Sequence, residues 1–313
     1  MRLDATRYLQ PYYRQCIVRN PAYLMVSDHT YSADELWEKS WLPITFRAFS
    51  RIASLIHVQD VLILGTGIGL DALGTIEIFD LKSLTLTDIS QEVLSVAKEN
   101  ITSNIDAKAA PNIHFYFGDL FTCVPAEYQF CLVFENLPTV PPPPHIDLLQ
   151  ADNSAYYFAA LGRQVPKVVE QHLLTSHYLC LHDAYSHVRL GGGVLTSIGG
   201  RAPFEVVFDL HRLCGYSPQL IAFDLKIQGE PERILPSYRA AEEAFGVSFK
   251  FYAPDALDVV ATHRVSGLEG RQLFEAVRDQ IEGYAMSTQA ALDQVHRGKD
   301  VAHSVFMLFG QRL

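Results

Sequence analysis

Asp60-Val61-Leu62-Ile63-Leu64-Gly65-Thr66-Gly67-Ile68-Gly69 is the stretch that decides the fold. An apolar run ends in three alternating glycines, as a strand buried on both faces of a parallel sheet ends in a tight turn. Ligands of open α/β sheets bind at the carboxyl edge of the strands, and glycine lets backbone approach them closely. A dinucleotide fingerprint needs a glycine where Leu70 stands, and no Gly-Lys-Ser/Thr follows to make a phosphate loop. The turn therefore suits a ligand that presents no phosphate to it. The competing reading is a plain strand-to-helix turn.

Downstream, strands and helices alternate. Helix is expected over Leu70 to Phe79 and, with Ser90 as N-cap, over Gln91 to Asn104. Strands are expected at Ser83–Thr87, Ile113–Phe117 and Phe130–Phe134. Helical sequence from Val165 to Arg189 leads through Gly191-Gly192-Gly193 to a strand at Val194–Ile198. A helix at Phe204–Cys214 and a strand at Gln219–Ile227 follow, and Ser304–Phe309 is the last strand. Strands joined by helices imply right-handed crossovers. The expected fold is α/β: a Rossmann-like, mostly parallel, seven-stranded doubly wound sheet. Residues 1–57 form a helical, aromatic cap ahead of it, and 58–313 form the cofactor-binding domain, with a mostly helical insertion at about 231–300.

Composition narrows the function. Among 313 residues, 25 Lys+Arg face 35 Asp+Glu, a net charge of −10, with no basic cluster of the kind that binds phosphate backbones. Nucleic acid is not an expected partner, and a neutral or cationic small molecule is favoured. No apolar run approaches the ~18 residues that cross a membrane, and the N-terminus lacks the apolar core of a signal peptide. The 5 cysteines show no Cys-x-x-Cys spacing, which suits reduced thiols in the cytoplasm and gives no sign of a metal site.

Candidate ligand-binding residues stand at the strand ends. Gly65, Thr66, Gly67 and Gly69 form the loop. Asp88, followed by Ile89, ends the next strand, where a carboxylate can accept both hydroxyls of a ribose. Gly118, Asp119 and Leu120 follow the third strand, where Asp119 could accept from an adenine amino group beside Leu120. Glu135 and Asn136 follow the fourth, at the edge where polar groups meet ligands.

Together these motifs resemble the class I S-adenosylmethionine-dependent methyltransferase family, over about residues 58–228 and with a final strand at 304–313. The resemblance implies that Gly65 to Gly69 cradles the methionine part of S-adenosyl-L-methionine, Asp88 the ribose and Asp119 the adenine. Gly191-Gly192-Gly193-Val194-Leu195 looks like the family's glycine turn before its fifth strand. Two positions depart from it. Ile63 stands where the family often has an acidic residue, so the cofactor's amino group is held differently. Asn136 and Pro138 match the Asn-Pro-Pro-Tyr motif of amine and amide N-methyltransferases, but Leu137 and Thr139 break it.

Methyl transfer from a sulfonium needs alignment above all, and a base only where the acceptor must lose a proton. Asn136 is a candidate orienting amide. His182 and Tyr185 are candidate catalytic side chains, with Asp183 and His187 beside them. Tyr8, Tyr12, Tyr13, Tyr23 and Tyr31 could form a lid whose rings attract a cation, or could simply pack the cap. Trp37 and Trp41, spaced i, i+4, read as core, and the rigid run Pro141 to Pro144 as a pocket wall.

The leading expectation is a methyltransferase acting on an N or O nucleophile of a small molecule. The alternative is reaction of the cofactor's aminocarboxypropyl arm, either aminopropyl transfer or cyclisation to azetidine-2-carboxylate with release of methylthioadenosine. A nicotinamide-dependent oxidoreductase and a non-catalytic cofactor-binding protein rank lower. The 231–300 segment is a candidate for homodimer formation.

Overall fold

A computed structural model describes residues 2–26, 39–139 and 163–313. The chain enters through β1 (Arg2–Asp4), a single helical turn α1 (Thr6–Leu9) and β2 (Tyr23–Met25), which pairs antiparallel with β1. This start is strand and turn where helix was expected. Pro11 and Pro21 lie between the two strands, and proline fixes φ and withholds a donor. Among the described residues, the long helix of the cap is α2 (Leu42–Leu55), with Pro43 in its first turn, where the missing N–H costs nothing.

The sheet begins with β3 (Asp60–Leu64), followed by α3 (Leu70–Ile78), β4 (Ser83–Asp88), α4 (Gln91–Asn104), β5 (Asn112–Phe117) and β6 (Phe130–Glu135). Next come α5 (Lys167–Gln171), α6 (Thr175–Ala184), β7 (Val188–Gly199), α7 (Phe204–Leu213) and β8 (Ser217–Ile227). Along β3 the side chains alternate: Val61 and Ile63 join the core under α2 and α3, while Leu62 and Leu64 join the core under α6 and α7. Both faces of the sheet are therefore covered, which is why the strand reads as an unbroken apolar run.

The insertion holds α8 (Pro231–Phe245), β9 (Lys250–Tyr252), α9 (Ala256–Val265), α10 (Gly270–Ile281), β10 (Ala285–Ser287) and α11 (Thr288–His296), before β11 (Ala302–Gln311) closes the fold. It is mostly helical, as expected, with a third small core around Leu235, Tyr238 and Phe251. Two strands escaped the sequence reading: β9 and β10 pair antiparallel, and Tyr252 meets Ala302 at the start of β11, so the sheet has 9 strands. Each is only three residues long, too short to show a period of two.

The seven principal strands run in the order β5-β4-β3-β6-β7-β11-β8. β3 to β7 run parallel to one another, while β11 is antiparallel to both β7 and β8. The reversal brings the amino end of β11 to the edge where the other principal strands end. Among the described residues, no helix is long and apolar enough to cross a membrane.

Candidate functional site

The loop after β3 is built on left-handed glycines: Gly65, Gly67 and Gly69 have φ of +67°, +53° and +87°. Side chains are strained in that region, and Gly69 in it forms the start of α3. Thr66 donates its N–H to the Thr87 carbonyl at 3.0 Å, tying the loop to the end of β4. Asp88 completes the tie, its Oδ2 accepting from the Gly67 N–H at 3.2 Å and its Oδ1 from the Ser90 N–H at 2.9 Å. Burial pushes the Asp88 carboxyl above its ordinary range. The loop and the carboxylate thus form one rigid unit at the carboxyl edge.

A cavity of about 200 Å³ opens beside this unit. Its walls come from the glycine loop, from Asn136 after β6, from Ser197 and Gly199 at the end of β7, from Lys226 and Gln228 at the end of β8, and from His303 at the start of β11. Trp41, Asp71, Thr139 and Arg201 complete the polar lining. Three buried polar atoms of lining residues have no hydrogen-bond partner among the described residues: Thr66 Oγ1, Asp71 Oδ1 and His303 Nε2. A buried polar atom left unpaired costs about 1–3 kcal/mol, so their convergence on one cavity marks a place where a polar ligand belongs.

Asp71, in the first turn of α3, accepts from Trp41 Nε1 at 3.4 Å through Oδ2. Burial pushes its carboxyl up to about 7. His303 is held at 2.8 Å from the Ser304 carbonyl through Nδ1, so that nitrogen carries the proton and Nε2 is a bare lone pair. Burial, reinforced by the charges of Arg201 and Lys226, holds this imidazole neutral, well below the ordinary histidine range.

The residues proposed from sequence divide into three groups. Gly65, Thr66, Gly67 and Asn136 line the cavity, and Asp88 grips the loop behind it. Ile89, Gly118, Asp119 and Leu120 lie past β4 and β5, further along the same edge and outside the cavity. Burial raises the Asp119 carboxyl, partly countered by Arg163.

The third group lies elsewhere. Glu135 points to the opposite face, fully buried, with its oxygens 2.7 and 2.9 Å from His177 Nδ1 and one of them accepting from the Leu137 N–H. Phe134 packs under α2, and strand alternation turns its neighbour Glu135 away toward α6.

His182 and Tyr185 are also corrected. A crossover helix runs against the strands it joins, so α6 starts at the carboxyl edge, where Ser176 bonds the Pro138 carbonyl, and ends at the amino edge. His182 is a mostly exposed partner of Asp183, and Tyr185 packs on Tyr216 under Arg312. His187, beside them, stacks on Phe121.

The described tyrosines do not line the cavity. Tyr8 is core, Tyr12 packs edge-on against Phe46, Tyr13 bonds the Arg19 carbonyl and Tyr23 lies under Arg2. Tyr31, Trp37 and Pro141 to Pro144 fall outside the described residues. The aromatic side chain that does line the cavity is Trp41, expected as core.

Asp71, Arg201, Lys226 and His303 were missed. The one signal available for three of them was position: each follows or precedes a strand end at the carboxyl edge, once the last strand is known to be reversed.

The strand order, with its antiparallel β11 between β7 and β8, is that of a mostly parallel, Rossmann-like doubly wound sheet whose last strand is reversed. No protein-family model matches the sequence, and no curated protein matches it. Among solved structures, the YcgJ protein of Bacillus subtilis is similar at a TM-score of 0.46 and 11% identity, over 86% of this chain and 98% of that one. A methyltransferase from Pyrococcus furiosus is similar at 0.39 and 16%, over 66% and 83%. A Haemonchus contortus phosphoethanolamine N-methyltransferase in complex with S-adenosylhomocysteine is similar at 0.41 and 14%, over 88% of this chain and 53% of that one. The strand order of the chain itself, not these distant likenesses, defines its fold.

Proposed function

We propose that this chain is an S-adenosylmethionine-dependent methyltransferase acting on a nitrogen or oxygen nucleophile of a small molecule. The observation that carries this reading is the unit made by the left-handed glycine loop and Asp88, set in this strand order beside a cavity lined by unpartnered buried polar atoms. The residues fit the cofactor. Asp88 keeps lone pairs for two ribose hydroxyls, and the adenine would lie toward Asp119 and Leu120, which follow the neighbouring strand β5. Asp71 supplies, from α3, the carboxylate missing at Ile63, and its unpartnered Oδ1 suits the cofactor's ammonium. Bound here, the cofactor supplies an activated methyl carbon. The protein then has to place the nucleophile in line and exclude water. Asn136 and the bare His303 Nε2 are the groups that would accept hydrogen bonds from the nucleophile and aim it.

Calorimetric titration with S-adenosylhomocysteine tests the reading. Saturable binding is expected, with none for NAD, and Asp88→Ala should weaken it about tenfold or more, the scale of lost hydrogen bonds to a charged group. An ammonium set against Asp71 should also drive off its proton, so near pH 7 the measured heat should vary with the ionisation enthalpy of the buffer. Binding of NAD in place of the homocysteine nucleoside would overturn the reading. No described residue favours reaction at the aminocarboxypropyl arm, and the nucleoside product decides between the two chemistries.

A further inference from the structure

Arg201 is 8% exposed, yet among the described residues no carboxylate pairs with it. Its Nε and Nη2 both donate to Gln228 Oε1, at 3.2 and 2.5 Å, and its guanidinium lies 5.1 Å from the centre of the Tyr238 ring. No hydrogen bond from Nη1 is present among the described residues. Gly199 is what lets that nitrogen sit where it does: a Cβ there would stand 2.1 Å from Nη1, so any side chain would displace the guanidinium. Lys226 lines the same cavity, its Nζ donating to the Lys39 carbonyl at 2.8 Å. Asp71, the carboxylate among the described lining residues, belongs to the loop side of the cavity.

A guanidinium this buried, with no carboxylate beside it among the described residues, is costly unless an anion joins it, and the planar fork of arginine matches a carboxylate or phosphate. The cavity's charge, rather than the chain's net −10, faces the ligand. We propose that Arg201, aided by Lys226, binds the anionic group of the acceptor, so that the substrate is a small acid, a carboxylate or a phosphate ester, that also carries the nucleophilic nitrogen or oxygen.

This rests on the methyltransferase reading. The other source of an anion is the carboxylate of the cofactor itself. Asp88 on β4 marks the nucleoside side of the loop strand β3, whereas Arg201 follows β7, two strands beyond β3 in the opposite direction. That is a lateral step of ~10 Å at the usual strand spacing, which puts the guanidinium on the acceptor side.

The test is a tryptophan-fluorescence titration of the protein saturated with S-adenosylhomocysteine, since Trp41 lines the cavity. Inorganic phosphate and acetate serve as probes at an ionic strength fixed with chloride. A saturable response is expected for at least one probe, and which one responds separates phosphate from carboxylate acceptors. Arg201→Gln should weaken it about tenfold or more and Arg201→Lys by less, while the Kd for S-adenosylhomocysteine stays within about twofold. Should Arg201→Gln fail to fold, Lys226→Met, which leaves the Gln228 contact intact, should weaken the same response severalfold. Absence of a saturable response in the wild type overturns the proposal. So does an equal loss of S-adenosylhomocysteine affinity in Arg201→Gln, which would give the guanidinium to the cofactor. If the wild type binds no S-adenosylhomocysteine, the methyltransferase reading fails, and the same titration of the protein alone still reads the anion site.

Discussion

Asp71 concentrates the physical chemistry of the site in one carboxyl. Its pKa is about 7 in the folded chain against 3.8 in the unfolded one. Between those values the folded state holds a proton that the unfolded state has lost, so stability from this group is present in acid and is lost as pH rises toward 7. At 1.4 kcal/mol per unit, the loss is on the order of 4 kcal/mol. Asp71→Asn removes it, so the variant's melting temperature relative to wild type should climb by several degrees between pH 5 and pH 8. Parallel pH curves would contradict the burial argument. The same variant should bind S-adenosylhomocysteine about tenfold more weakly near pH 8, because an amide cannot match an ammonium. At this scale the sequence was only partly legible. Gly65, Gly67 and Asp88 stand in a local pattern around a strand end. Asp71 looks like an ordinary first-turn helix acid, and only the packing of Trp41 against it reveals a buried group.

Elements are held together by polar clamps that no periodicity displays. Asn100 and Asn104 on α4 each bond both backbone groups of a β2 residue: Asn100 with Met25 at 2.7 and 2.8 Å, Asn104 with Tyr23 at 2.8 and 2.7 Å. The match is geometric, since four helical residues rise ~6 Å and two strand residues ~6.6 Å. Glu77 on α3, fully buried, likewise accepts backbone N–H groups from Arg14, Gln15, Cys16 and Val18. Asn100→Ala combined with Asn104→Ala should therefore lower stability by about 2–4 kcal/mol in denaturant titrations and expose residues 2–26 to protease. Unchanged proteolysis of that segment would contradict the clamp. Gly74 makes the reverse point. Alanine normally improves a helix, but a Cβ there would lie 2.1 Å from the buried ring of Phe46. Gly74→Ala should cost about 1–3 kcal/mol, read as a lower melting temperature. The strands β3 to β8, with helices between all but β5 and β6, were readable because their apolar runs are long. The edge to which His182 and Tyr185 belong depends on helix direction, which their local sequence does not encode.

For the whole molecule, the reversed β11 is the decisive feature. It carries His303 to the carboxyl edge and completes a cavity whose other walls come from β3, β6, β7 and β8. The last strand was legible as a strand, but its direction was not, so the cationic side of the cavity stayed hidden behind a net negative charge. That this cavity serves methyl transfer is the central proposal. The most direct measurement is mass spectrometry of the adenosine product after the purified protein is incubated with S-adenosylmethionine, first alone and then with a fractionated cell extract. Methyl transfer should yield S-adenosylhomocysteine, formed only with extract and lost in Asp88→Ala. Methylthioadenosine as the product, with or without extract, would contradict it.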